Sequence, residues 1–279
     1  MKNKISKKTR LRRFAKGVGI WLLAFGVNPE AWRYLFRGLV IAFKEYYELK
    51  RQNRLAGNPF HLRFTMPCLG DRFFSSGNTS GHYFFQDLSV ARKIFERHPV
   101  RHVDIGSRVD GIVAHVASFR DIEVFDIRPL TLALPSIIFR QADLTHLDNE
   151  FRHYCDSLSC LHAIEHFGLG RYGDTIDLYG HVKGFTCLSE VLKPGGTLYF
   201  SVPIGPERID FNSCRVFNIR TILNLAEQYF DVVDFSYVDD AGAFHTHIEL
   251  NPERVDDNCG CDYGCGIFEF IRKPIKDNT

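Results

Sequence analysis

The chain's 279 residues, 45% apolar and 14% aromatic, suffice for one full-sized core with an appendage. That excludes a disordered chain, a collagen-like repeat and a disulfide-stapled miniprotein. The formal net charge of +2 conceals a split: residues 1–54 carry 14 Lys/Arg against 3 Asp/Glu, a net +11, and residues 55–279 carry a net −9.

The cationic head, residues 1–54, opens with basic residues followed by the apolar run from Gly17 to Val27, which mimics the front of a secretory signal. No small-residue cleavage site follows, because the run ends in Asn28, Pro29 and Glu30, and it falls short of the ~18 to 20 residues a bilayer span requires. The run is expected to be retained and not to span. Beyond Pro29, residues such as Trp32, Leu35, Phe36, Phe43 and Tyr47 interleave with Arg33, Arg37, Lys44 and Lys50, which predicts an amphipathic helical hairpin. Such a segment suits a membrane interface with its cations toward anionic headgroups, and equally a cap on the body's own surface with its cations solvated. A nucleic-acid arm would be less apolar than Ile20 to Phe25, and the acidic body argues against tracking phosphates.

Residues 55–81, rich in Gly, Pro, Asn and Ser, read as a linker before a body at 82–279. In the body, strands are expected at Val100 to Ile105, Ile122 to Phe125, Ile137 to Arg140, up to Leu161, Thr197 to Val202, Val232 to Val238 and Ile267 to Ile271. Helices are expected at about 109–119, near Pro129 to Pro135, and at about 174–193 and 219–230. Strands separated by helices require crossovers, hence an α/β fold with a mostly parallel seven-stranded sheet covered on both faces. Eight cysteines without framework spacing are expected to be free thiols in a reducing compartment.

Ligands of such sheets bind beyond the carboxyl ends of the strands. The first body strand ends in a turn containing Asp104, Gly106, Ser107 and Gly111, and the second ends at Asp126, where a carboxylate can accept both hydroxyls of a ribose. A dinucleotide fingerprint is missing, since Arg108 takes its second glycine position and Asp104 and Asp110 bring negative charge to the turn. A ligand with a ribose, an adenine and a cationic amino-acid tail fits better, and S-adenosyl-L-methionine has that composition.

Five ordered stretches strengthen this reading: Val103 to Gly111, Val124 to Asp126, Gln141 to Leu144, Cys160 to His166, and Leu188 to Leu198 with its Leu-Lys-Pro-Gly-Gly turn. Together they resemble the motifs of the Rossmann-like S-adenosylmethionine-dependent methyltransferases, above all the branch containing the ubiquinone-pathway O-methyltransferases. The run Val202-Pro203-Ile204-Gly205, followed by Phe211 to Phe217, is also similar to a family of uncharacterised bacterial and nematode proteins often associated with surface-polysaccharide genes. The family's usual Gly-x-Gly-x-Gly turn is reduced here to its first glycine. The resemblance implies that Asp104 lies near the methionine amino group, with Gly106 and Ser107 against the methionine and ribose. It places Asp126 with Ile127 at the ribose, Asp143 with Leu144 at the adenine, and Cys160, Leu161 and His162 on the methyl-donor side.

A hydroxyl acceptor must lose a proton, and His162, Glu165 and His166 cluster where a base is needed, with His162 the first candidate. No metal is required there. Cys259, Cys261 and Cys265 lack paired zinc spacing and read as small residues in a glycine-rich loop, while Asn212 and Arg215 begin a candidate acceptor loop. The expectation is a cytoplasmic methyltransferase, peripheral at the inner membrane face, that methylates a sugar oxygen in a lipid-linked or surface glycan. A methyltransferase-fold scaffold without catalysis and a nucleic-acid methyltransferase are the alternatives.

Overall fold

The computed structural model describes residues 29–73, 81–131, 133–146 and 148–274, with a few positions between 18 and 27. The chain divides into two compact units, residues 1–78 and 79–279.

In the first unit, helix α1 (Pro29–Leu55) opens on a proline, whose fixed φ and missing N–H are tolerated at a first helical position. Residues 60–73 run back along it. Phe64 packs on Phe43 and Tyr46, each with ring centroids 5.2 Å apart, and Phe73 stacks on Tyr34 at 5.3 Å. Arg72 holds Glu45 with two hydrogen bonds of 2.7 and 2.9 Å. Gly38 makes the crossing possible, because a Cβ there would sit 2.0 Å from the Leu69 carbonyl oxygen. Trp32, Phe36, Val40 and Tyr47 stay exposed. The first arm of the expected hairpin lies largely outside the described residues.

The second unit begins with α2 (His82–Arg97) and continues through β1 (His102–Ile105), α3 (Ala114–Ala117), β2 (Ile122–Asp126), β3 (Ile137–Gln141), β4 (Cys155–Leu161), α4 (Gly180–Val191) and β5 (Leu192–Ile204). A hairpin of β6 (Arg208–Asp210) and β7 (Cys214–Val216) follows, then α5 (Ile219–Glu227), β8 (Phe230–Val238), β9 (Phe244–His245), α6 (Pro252–Asp257) and β10 (Gly264–Arg272). The main sheet runs β3-β2-β1-β4-β5-β10-β8-β9. Strands β1 to β5 pair in parallel, while β10 is antiparallel to both β5 and β8. This is an open, mostly parallel α/β sheet of seven strands extended by the two-residue edge strand β9.

The sheet is covered on both faces, so its central strands are buried throughout instead of alternating. Neighbouring residues still part company across it: Tyr199 and Ile267 join Val90, Ile94 and Val116 on one face, while Phe200 and Phe268 join Phe185, Phe230 and Phe270 on the other.

Three expected helices differ. The first is a π-turn, Val109–Val113, kinked at Gly111 and followed by the single turn of α3. The helix near Pro129 to Pro135 does not form among the described residues; prolines at 129 and 135 push the residues before them out of the helical region. The third starts at Gly180, not near 174, because Asp174 ties the preceding loop by accepting from the main-chain N–H groups of Gly168, Gly170 and Tyr172. Helix α2 was not anticipated at all.

Candidate functional site

A cavity of about 170 Å³ opens beyond the carboxyl ends of β1, β2 and β4. Its wall includes Gly106, Asp126, Ile127, Asp143, Leu144 and His166, six of the expected site residues, together with Arg128, Ala163, Tyr172 and Asp174. Gly106 has φ +71°, where a side chain is strained, and its Cβ would stand 3.0 Å from that of Ala163. Only glycine lets the turn after β1 close against the wall.

Asp126 ends β2 with its carboxylate already engaged. It accepts from the Arg128 main-chain N–H at 2.8 Å and from the guanidinium Nε and Nη2 at 3.0 and 2.5 Å. Arg128 also stacks over Tyr172, 4.4 Å from the ring centre. Asp143 accepts from the Thr145 N–H and hydroxyl, both at 2.8 Å and both through Oδ1, and its side chain remains half exposed.

Asp104 lies elsewhere. It is buried, accepting from the Ser107 N–H and hydroxyl at 3.2 and 2.9 Å and from the Ser159 hydroxyl. His102 extends this chain through Ser159 and Ser157. Burial pushes the Asp104 carboxyl up to about 7 and the His102 imidazole down to about 3. Asp104 therefore pins the turn from below and does not reach the cavity. Ser107, Gly111 and Leu161 border a neighbouring groove with Tyr83, Gln86 and Asp87. The Cys160 side chain is packed in the core, contrary to the expectation that it lines the cleft, because β4 turns it to the apolar face of the sheet.

Glu165 sits between the two histidines. His162 Nδ1 is 2.8 Å from Glu165 Oε1, and His166 Nε2 is 3.7 Å from the same oxygen. Only His166 lines the cavity. Its Nδ1 lies 2.7 Å from the Ser213 carbonyl oxygen, so that nitrogen carries the hydrogen and Nε2 keeps the lone pair. Burial lowers the His166 pKa, favouring the neutral ring. His162 instead points inward with φ +50°. Burial opposes its charge, but the Cys265 sulfur and the Glu165 carboxylate outweigh that and hold its pKa well above the usual value.

The acceptor-loop pair is not brought to the cavity. Asn212 lies exposed in the β6–β7 turn. Arg215 is buried, donating to the carbonyl oxygens of Phe167 at 2.5 Å and of Asp177 and Leu178 at 3.2 Å each. Both terminal nitrogens of Arg215 are spent on the loop and its Nε is buried without a partner, so the side chain does not present a fork to a phosphate or carboxylate.

Residues 134–258 match a family model described as a Caenorhabditis protein of unknown function, DUF268. No curated protein matches the chain by sequence. Solved structures align at low identity. They include the N-methyltransferase NodS of Bradyrhizobium japonicum WM9 in complex with S-adenosyl-L-homocysteine, at 12% identity over 69% of this chain and 88% of that one, with a TM-score of 0.45. The 1,6-didemethyltoxoflavin-N1-methyltransferase of Burkholderia thailandensis is 15% identical over 67% and 79%, with a TM-score of 0.47. The cyclase SpnF is 15% identical over 80% and 92%, with a TM-score of 0.49. Likenesses of this grade leave the reaction to be argued from the site's own residues.

Proposed function

We propose that the chain is an S-adenosyl-L-methionine-dependent methyltransferase that methylates a sugar hydroxyl in a lipid-linked or surface glycan. The observation carrying this reading is the convergence of Gly106, Asp126, Asp143 and His166 on one cavity at the strand ends. The residues fit the cofactor on two counts: Gly106 leaves a cradle that a Cβ would fill, and two carboxylates border a ligand with ribose and adenine donors. Asp126 would hold the ribose hydroxyls once Arg128 withdraws, and Asp143 the adenine amino group.

The bound cofactor supplies an electrophilic methyl group on a sulfonium. His166 Nε2 takes the acceptor's proton, since Nδ1 is committed to Ser213 and burial keeps the ring neutral. The Glu165 carboxylate, 3.7 Å away, then stabilises the imidazolium. Tyr172, edge-on to His166, fixes the ring's orientation.

The membrane part of the proposal rests on residues 1–54, whose net +11 and exposed Trp32, Phe36, Val40 and Tyr47 suit an anionic interface. No helix among the described residues is long and apolar enough to cross a membrane. Calorimetry of the full chain with S-adenosylmethionine tests the cofactor: wild type should bind and Asp126→Ala should not. Mass spectrometry of surface glycans from cells carrying either form then seeks a methyl group lost with the variant. Absence of heat with the wild type would sink the proposal.

A second reading, a scaffold that keeps the fold without catalysis, is favoured by the Arg128 guanidinium on Asp126 and by Arg108 in a glycine's place. Binding without methyl transfer to any glycan extract would favour it.

A further inference from the structure

We propose that His82, His162 and Cys265 form a binding site for one transition-metal ion of zinc's character. The three come from the start of α2, the residue after β4 and the second residue of β10. Their ligand atoms all lie within 4.8 Å of one another. Cys265 and His162 are buried and His82 half-buried, so one side of the site is open to entry.

The hydrogen bonds around the cluster orient it. Glu165 occupies His162 Nδ1 at 2.8 Å, which fixes the tautomer and leaves Nε2 as the available ligand atom. That Nε2 is buried, meets no oxygen or nitrogen partner and faces only the Cys265 sulfur. Sulfur is a weak hydrogen-bond match for a buried ring nitrogen, and an ion shared by the two satisfies both. His82 is tied through a hydrogen bond to the Tyr263 main chain. Metal-bound histidines characteristically have the second ring nitrogen held by a carboxylate or a carbonyl, and here one has each.

Two imidazoles and a thiolate form a donor set for zinc or a neighbouring late transition metal; magnesium and calcium would want oxygen. Cys265 binds as thiolate, its proton passing to solvent. Around tetrahedral zinc, ligand atoms stand roughly 3.3–3.6 Å apart, given metal–ligand bonds of about 2.0–2.3 Å. The site must therefore contract, and the half-buried His82 must tilt out of its stack on His162, where the rings now lie 5.2 Å apart and nearly parallel. Three protein ligands leave a fourth position for water or an acceptor oxygen. Cys265 is one of three cysteines that sequence spacing could not pair, and its partners lie on distant elements. The site stands independently of the methyltransferase reading.

The test uses the full chain, stripped with a chelator and dialysed against zinc, with bound metal counted by mass spectrometry. Wild type should retain about one ion per chain, and His162→Gln and Cys265→Ser less than about a tenth of that. Cys259→Ser, outside the cluster, should retain it. Glu165→Gln should weaken retention by about 10- to 100-fold through the loss of His162's anchor. Cobalt titration of the wild type should give a thiolate-to-metal charge-transfer band that Cys259→Ser keeps, a readout that stands even if Cys265→Ser misfolds. A wild type that holds no zinc and shows no such band, or a folded Cys265→Ser that binds as the wild type does, would overturn the site.

Discussion

At Asp126, the carboxylate best placed for a ribose is already closed by a neighbour two residues on. The Arg128 side chain is 40% exposed, so the pair is worth roughly 0–1 kcal/mol and yields readily to a competing ligand. Arg128→Ala should therefore tighten S-adenosylmethionine binding by up to about fivefold in calorimetry, by removing that competition. Asp104 offers a second test through pH. Its folded pKa of about 7 lies above the ordinary 3.8, so the folded state holds a proton that the unfolded chain has released between those values. Its contribution to stability is present at low pH and is lost as pH rises toward 7. Relative to wild type, Asp104→Asn should gain stability as pH rises from about 4 to 7, by a few kcal/mol at most. Parallel denaturant curves at pH 5 and pH 8 that move together would contradict this. The position of an acid at the end of the second strand made Asp126 legible in the sequence, and the family resemblance pointed to Asp143. The burial of Asp104 was not, because it depends on Ser159, which only the register of β1 on β4 sets beside it.

Among the elements, the loop between β4 and α4 shows how little of the site's frame is written locally. Asp174 closes it from within and Arg215 clamps it from the β6–β7 hairpin. Arg215→Met should strand the carbonyls of Phe167, Asp177 and Leu178, costing about 2–4 kcal/mol in denaturant unfolding. It should also speed amide exchange across residues 167–179. Unchanged exchange would mean the clamp is dispensable. Helix α2 stayed illegible for a different reason: it starts after Gly81, whose cap makes no side-chain hydrogen bond, and its aromatic opening blurs the apolar period. With it went His82, Tyr83, Gln86 and Asp87. The alternation of strands and helices, by contrast, was plain, because β1, β2 and β4 are short segments carrying Val, Ile, Leu and Phe between turn residues.

For the whole molecule, the division of charge is the property most open to experiment. If residues 1–54 engage an anionic bilayer, exchanging Arg37, Lys44 and Lys50 for Gln removes three cations worth ~1 kcal/mol each, and vesicle partitioning should fall on the order of 100-fold. The effect should shrink as salt rises. Equal flotation of the two full-length forms would end the docking proposal.

The position of β10 has a consequence for how the protein is made. It follows every other strand in the chain, yet it fills the gap between β5 and β8, matching eight residues of each. Until it emerges from the ribosome, the long β5 has an open edge and β8 is joined only to the two-residue β9. Nascent chains should thus remain half-assembled, dependent on chaperones and prone to pair with one another, until β10 is available. A chain stopped after residue 263 should accumulate in aggregates, while one ending at 274 should fold. The late strand works as a closing stitch, so that the sheet is complete only once β10 has slotted between β5 and β8.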